Sequence, residues 1–330
     1  MKAYFSLFFI ALVIFSGCSN KEYFNPKVVK GDWDKSAYLN ESIITATAEG
    51  AVLENGQILT KEGVQDYYLP EGYSYIGQSD GWVIASKVDG KLLLQSINDK
   101  NTTIDFELKK TIAGATVKGD KLAVLFASNE MALYTLSTKE LVFKEGGNAP
   151  VAVDTRIANP YFLNELVLYL TLDGKIVIIN SDTKQVLRSM LVSSEEFFNN
   201  IIYFNVIDDV MVAATGYRLF SLSEKERREK YEMRDVIFSK EGIWISTKEG
   251  EVVALTPSLQ LKAKRKYPFA HFLGMILTKD KLYLLEREGY IIELSKDLSE
   301  SNVYELNIDD GFVYVGDKAF YVNDMIYPVE

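Results

Sequence analysis

One motif recurs along the chain and dominates what it can fold into: an apolar run, a turn holding Gly or Asn, and a second apolar run. The stretch LTLDGKIVIINSDTKQV, residues 170–186, shows it most plainly. Two aliphatic, β-branched runs around an Asp-Gly pair mark a β-hairpin, because tight hairpin turns need positive φ, which Gly adopts freely and Asn tolerates. Copies begin at Trp82 (WVIASKVDGKLLLQSI), Leu122 (LAVLFASNEMALYTLS), Leu166 (LVLYLTLDGKIVIINS), Val210 (VMVAATGYRLFSLS), Gly242 (GIWISTKEGEVVALTP) and Lys281 (KLYLLEREGYIIELSK). A fainter copy, GAVLENGQILTKEG, begins at Gly50, and KAFYVNDMIYPVE stands at the C-terminal end. The turn markers Gly56, Gly90, Asn129, Gly174, Gly216, Gly250, Gly289 and Asn323 are separated by 34, 39, 45, 42, 34, 39 and 34 residues. That is about 38 residues per repeat, a period typical of propeller blades.

Two further β-prone pieces flank each hairpin. QVLRSMLV follows KIVIINSDTK, and APVAVDTRI precedes LVLYLTL, which makes four strands per repeat. The polar pieces SEKERREKYEM from Ser223 and KAKRKY from Lys262 read as outer strands. The fold class expected is therefore all-β, a β-propeller of eight four-stranded blades, or seven if the Gly56 copy is not a blade. A parallel β-helix would show a shorter period, and a pair of β-sandwiches would not explain so regular a repeat. The last copy holds only three strands, and an unpaired edge invites aggregation. NPKVVKGDW, residues 25–33, reads as a spare strand; residues 26–33 are expected to supply the outer strand of the last blade and close the ring.

The N-terminal residues MKAYFSLFFIALVIFSGCSN carry one Lys, then an apolar run, then small residues, the layout of a secretory signal peptide. The run is too short to span a membrane comfortably. Cys18, the only cysteine of the chain, follows it directly. The domains expected are a lipoprotein signal peptide at 1–17, an acylated tether at 18–25 and a single propeller at 26–330. The formal net charge is −10, a poor match to nucleic acid, whose phosphates need clustered Lys and Arg.

Phe15-Ser16-Gly17-Cys18 resembles the bacterial lipobox, with Phe where Leu is usual. The resemblance implies acylation of Cys18 and attachment to a membrane through the N-terminal lipid. With Ser rather than Asp after the cysteine, it implies the outer membrane of a Gram-negative cell, facing the periplasm. The repeat itself resembles the quinoprotein-like, PQQ-type propeller repeat; LDGKIVIINSDTKQV matches best, with Lys184 where Gly is frequent. Together these features resemble BamB, the eight-bladed lipoprotein family of outer-membrane β-barrel assembly. GGNAPVAV, residues 146–153, looks like that family's Gly-x-Ser-Ala-Pro stretch. The resemblance implies a protein partner, the barrel-forming component, at Val142, Phe143, Glu145, Gly147, Asn148 and Pro150. Glu145 stands where the family has Arg, so that contact does not transfer directly.

Nothing in the sequence assembles into a catalytic constellation. A single His, His271, supports neither a Ser-His-Asp triad nor a zinc site. No phosphate-binding Gly-rich loop or Asp-rich calcium loop is present. PQQ-dependent dehydrogenases share the repeat but are longer and carry a vicinal cysteine pair absent here, so PQQ is not carried over. No cofactor, metal or catalytic residue is expected. The acidic pairs Glu195-Glu196 and Asp309-Asp310 fit solvated turns. Two readings follow: a non-enzymatic scaffold that binds protein partners, or a propeller that binds or acts on an envelope carbohydrate or other small ligand. Aromatics and carboxylates gathered in the central channel would favour the second, an apolar patch on one face the first. Metabolic labelling tests the anchor: the wild type is expected to incorporate palmitate and Cys18→Ser to incorporate none; a labelled Cys18→Ser protein would refute the assignment.

Overall fold

Each hairpin copy forms the two middle strands of a four-stranded antiparallel sheet. A computed structural model describes residues 22–329; Cys18 and the expected signal peptide lie outside the described residues. Blade I is built from Ile43–Ala46, Ala51–Leu53, Gln57–Thr60 and Gly63–Tyr68, and blade II from Ser74–Ser79, Trp82–Ser86, Lys91–Ser96 and Thr103–Glu107. Blade III comprises Ile112–Lys118, Lys121–Phe126, Met131–Thr135 and Leu141–Glu145; blade IV comprises Tyr161–Leu163, Leu166–Leu170, Lys175–Asn180 and Gln185–Leu191. Blades V to VII follow the same plan, with outer strands Glu226–Lys230, Leu261–Lys266 and Ser301–Glu305. Blade VIII takes Val313–Val315, Ala319–Val322 and Met325–Pro328 from the C-terminal copy. The protein is thus an eight-bladed propeller, and the Gly56 copy is a blade. The charged runs at 226–230 and 261–266 are outer strands, as their polarity predicted.

The middle strands are apolar on both faces because both faces are covered. Buried apolar side chains fall into eight clusters, each joining two neighbouring blades. The seam between blades VI and VII holds thirteen buried residues, Trp244, Phe272 and Leu284 among them. The seam between blades I and II holds five: Val52, Ile58, Tyr67, Tyr75 and Val83. The seam between blades I and II is thus the smallest of the eight.

The inner strands have no strand partner on the channel side, and side chains from other blades cap their free N–H groups. Val117 N–H donates to Ser79 Oγ (2.8 Å), Phe238 N–H to the Tyr203 hydroxyl (2.9 Å) and Met275 N–H to Asp235 Oδ2 (2.8 Å). Asn159 Oδ1 accepts from Ala115 N–H (3.1 Å) while its Nδ2 donates to the Ile76 carbonyl (3.0 Å).

The turn glycines do more than supply positive φ. At Gly250 φ is +76°, and a Cβ would sit 2.2 Å from the Tyr267 carbonyl oxygen. The chain leaving the outer strand folds back onto this turn, and Tyr267 N–H donates to the Gly250 carbonyl (2.7 Å). Gly90, Gly174 and Gly289 accept the same bond from Leu108, Val192 and Leu306. Asn129 and Asn323 adopt positive φ in the corresponding turns; Gly216 does not.

Closure differs from the expectation in which segment performs it. Residues 26–33 do not enter the last blade. Gly31–Asp32 pairs in parallel with Tyr304 and Glu305, adding a fifth strand to blade VII. The outer strand of blade VIII is Ala37–Tyr38, antiparallel to Met325 and Ile326. Trp33 sets this offset by packing into the seam between blades VII and VIII, edge-on to Tyr304 at 5.2 Å. Leu39, buried between blades VIII and I, pins the other end. A second correction concerns blade IV, whose inner strand is Tyr161–Leu163 rather than APVAVDTRI.

Leu39→Ala is expected to cost about 2–4 kcal/mol in denaturant unfolding, as for other buried Leu truncations. Faster amide exchange should appear first in blades VIII and I. Asp32→Ala, at an exposed position of the fifth strand, should stay within about 0.5 kcal/mol of wild type. Equal effects at the two sites would contradict closure through residues 37–39.

Candidate partner-binding face

Strand alternation gives the ring two different faces. Links between blades and the turns joining the middle strands emerge on one, here the connector face. The other two turns of each blade emerge on the opposite face. The exposed large apolar side chains in these loops divide unequally. Val88, Val151, Phe197, Phe198, Phe269 and Phe312 lie on the connector face, whereas Ile97 is the one such residue on the opposite face among the described residues. Other exposed apolar side chains sit on the N-terminal segment, the inner strand of blade I or the outer strands. Contiguous apolar patches mark interaction surfaces, whereas scattered single residues do not, so the residues that cluster carry the weight.

Three of the six lie on two interlocked links, residues 146–160 between blades III and IV and 192–202 between blades IV and V. Buried Asn129 holds the first: its Nδ2 donates to the Asn148 carbonyl (2.8 Å) and its Oδ1 accepts Leu172 N–H (2.7 Å). Asn200 ties the two links together, accepting Asp154 N–H (2.7 Å) and donating to the Arg156 carbonyl (2.8 Å). Phe198 N–H donates to the Ala152 carbonyl (3.0 Å). Asp173 lies beneath: burial would raise its pKa, but hydrogen bonds from Lys175 and Thr171 outweigh burial and hold it below the usual carboxylate range. The links are long, yet the hydrogen bonds of Asn129, Asn200 and Phe198 N–H hold them, so the platform presents its apolar side chains in defined places.

Two of these side chains are held at a cost. Phe198 (φ +52°) and Phe269 (φ +64°) adopt the left-handed region. That conformation costs an L-residue with a Cβ roughly 1–2 kcal/mol, and both rings remain 45% and 58% exposed. Eleven other non-Gly residues among those described, mostly in turns, share positive φ, so the backbone alone does not set these two apart; their exposed aromatic rings do.

The residues expected to bind a partner fall partly on this platform. Leu141–Glu145 is the outer strand of blade III, not a loop. Val142 and Phe143 are half-buried in the seam between blades III and IV, and Phe143 stacks on Tyr169 with centroids 6.5 Å apart. Phe143 therefore does not project as an anchor. Glu145 is exposed at the strand end. Gly147 lies against Asn129, where a Cβ would meet the Asn129 carbonyl at 2.5 Å. Asn148 Nδ2 reaches Asp173 Oδ2 at 3.5 Å, and Pro150 is half-buried beside exposed Val151. Sequence reasoning missed Phe197 and Phe198; the available signal was SEEFFNN, an aromatic pair in polar surroundings with no strand periodicity.

The central channel encloses about 1120 Å³ and is lined by the inner strands. Its lining mixes polar and apolar groups and contains aromatics and carboxylates; Asp80, Asp235 and Tyr203 are committed to the fold, whereas the Glu49 carboxyl, pushed up by burial against the pull of Lys61, takes no part in that capping. Asp235 accepts Val236 and Met275 N–H groups, Asp80 accepts Gly119 N–H, and Tyr203 caps Phe238. Burial pushes the Asp235 carboxyl up, against the opposing pull of Lys61 and the two backbone donors. Among the described residues no cluster of His, Cys, Asp or Glu has metal-ligand geometry. The backbone N–H of His271 donates to Glu286 Oε1 (2.9 Å).

Ring, seams and faces define an eight-bladed β-propeller with an apolar connector face. No family model matches the chain. It is similar over 99% of its length to the plasminogen-binding protein PgbB of Helicobacter pylori, at 28% identity in strain J99 and 27% in strain 26695, covering 70% of either relative. Among solved structures it is similar to BamB from Moraxella catarrhalis, with a TM-score of 0.67 and 15% identity over 88% of this chain and 97% of that one. Saccharomyces cerevisiae Sqt1 superposes with a TM-score of 0.60 and 12% identity, over 93% of this chain and all of that one. At such identities the two structural likenesses show the fold.

Phe143→Ala is expected to lower unfolding free energy by about half the ~3–5 kcal/mol of a fully buried phenylalanine, while Glu145→Ala leaves it unchanged. Denaturant titration of both variants checks this; an unaltered Phe143→Ala midpoint would mean that the ring does not pack against Tyr169.

Proposed function

We propose that the protein is a non-enzymatic scaffold that binds protein partners through its connector face while lipid-anchored at Cys18 to the outer membrane, facing the periplasm. The observation that carries the reading is the concentration of exposed apolar loop side chains on that face, six against Ile97 alone on the other among the described residues, two of the six on left-handed backbone. Apolar anchors at the centre of an interface supply most of its binding energy, and a rigid platform avoids the entropy of ordering loops on binding. The relatives in H. pylori are named for binding a protein, plasminogen, which agrees with a protein-binding role. The partner proposed is the barrel-forming component of outer-membrane protein assembly. Its support is the lipobox, the GGNAP stretch on the connector face and the likeness of the ring to BamB. The channel supports a carbohydrate or small-ligand role less well, because Asp80, Asp235 and Tyr203 in its lining are taken up in capping strand edges.

Phe198→Gly separates binding from folding. Glycine relieves the positive φ, so the melting temperature should hold or rise slightly, while the aromatic anchor is lost. Affinity isolation from native envelopes is expected to recover about tenfold less partner with this variant, equivalent to about 1.4 kcal/mol. Full recovery by a folded Phe198→Gly protein would count against the connector face. A wild type that captures other proteins but no barrel-assembly component would refute the assembly role.

A further inference from the structure

A second cavity, of about 450 Å³, opens on the connector face beside Phe198. Arg156, Arg234 and Lys248 line it, with Tyr217 and Asp154. Asp154 is the single carboxylate in the lining, and it is already engaged: Arg156 Nη2 meets its Oδ2 at 2.6 Å and Arg156 Nε its Oδ1 at 2.9 Å. Burial would raise the Asp154 carboxyl, but the bonds and charge of Arg156 hold it below its ordinary range. Arg156 also donates to the Arg234 carbonyl. Arg234 has no such carboxylate. Its Nε is buried without a hydrogen-bond partner, and burial with the positive charges of Arg156 and Arg287 lowers its pKa. Lys248 stands over the Tyr217 ring, 5.0 Å from the centroid. Three cations thus face one carboxylate in a chain whose net charge is −10.

The Asp154 charge partly offsets this lowering at Arg234, but a buried guanidinium N–H without an acceptor is costly, and the ligand that relieves it is an anion able to accept the planar fork. We propose that this cavity receives the carboxylate of an acidic side chain on a partner polypeptide, flanked by an apolar residue that packs on Phe198. The proposal rests on the connector face being the partner-binding face and adds the chemistry of what that face recognises. Three features favour an acidic peptide over a phosphate-rich polymer or lipid surface. The acidic chain as a whole repels an extended polyanion. Asp154 within the cavity opposes a dianion more than a monoanion. Exposed Phe198 in the cavity lining matches an apolar side chain rather than a sugar-phosphate chain.

Selection of a random peptide library on the purified protein tests this. Bound sequences are expected to be enriched in Asp or Glu next to an aromatic or aliphatic residue. For a selected peptide, replacing its acidic residue by the amide should weaken binding about tenfold, as should Arg234→Gln or Lys248→Gln in the protein. The Lys248 side chain is exposed, so Lys248→Gln decides the matter if Arg234→Gln does not fold. No acidic enrichment, or equal binding by the Lys248→Gln protein, would overturn the proposal. So would displacement of the peptide by inorganic phosphate or phosphatidylglycerol vesicles more effectively than by free acidic peptide. If the cavity variants bind normally while Phe198→Gly still loses its envelope partner, this inference alone fails. If Phe198→Gly also retains its partner, the reading of the face fails with it.

Discussion

Ring closure is the constraint on which everything else depends. A four-stranded sheet of this size cannot bury both its faces alone, and each blade here is covered on both sides by its neighbours. Seven of the eight seams form between blades contiguous in the chain. The eighth, between blades VIII and I, must be made by segments from opposite ends. Ala37–Tyr38 and Leu39 supply that join, with Leu39 N–H donating to the Asp324 carbonyl and Ile43 N–H to the Asn323 carbonyl. Gly31–Asp32 and Trp33 extend the strap over blade VII, and Phe24, edge-on to Tyr267 and Tyr290, carries it to the seam of blades VI and VII. Without this strap, the middle strands of blades VIII and I would each expose an apolar face.

Closure also explains how function can be placed on such a ring. With the seams filled and the inner-strand donors capped by Ser79, Asn159, Tyr203 and Asp235, little of the frame remains free to bind. The links and turns are what can vary. The two longest platform links, 146–160 and 192–202, are joined by Asn200 and the Phe198–Ala152 backbone bond, and Asn129 holds the first. That rigidity permits Phe198 to stay in an unfavourable backbone conformation with its ring exposed. In the same region Arg156 and Asp154 pair with each other, whereas Arg234 Nε has no hydrogen-bond partner.

Much of the fold was legible in the sequence because its markers have a backbone cause. Gly90, Gly174, Gly250 and Gly289 combine positive φ with a close approach of the returning chain, so no other residue fits and the period shows through. The polar outer strands were legible for the complementary reason that one side faces water. The closing strand was misplaced because a two-residue pairing at Ala37–Tyr38 has no periodicity to read, whereas VVKGDW looks strand-like locally. Tyr161–Leu163 was missed for the same shortness. Phe143 was placed in a partner site by family resemblance, but its ring stacks on Tyr169 of the next blade, a contact the sequence does not show. The Phe197–Phe198 pair and the Arg156–Arg234–Lys248 group come from separate links and blades, and only the closed ring brings each to one face.

The claim at the centre of this account is that one face of the ring meets a protein partner. Site-specific photo-crosslinking in native envelopes tests it directly, with the photoreactive residue placed at position 197 on the connector face or at position 97 on the opposite face. The account predicts a discrete crosslinked partner from position 197 and none from position 97. Crosslinks to the same partner from position 97 alone, or from both positions equally, would contradict it.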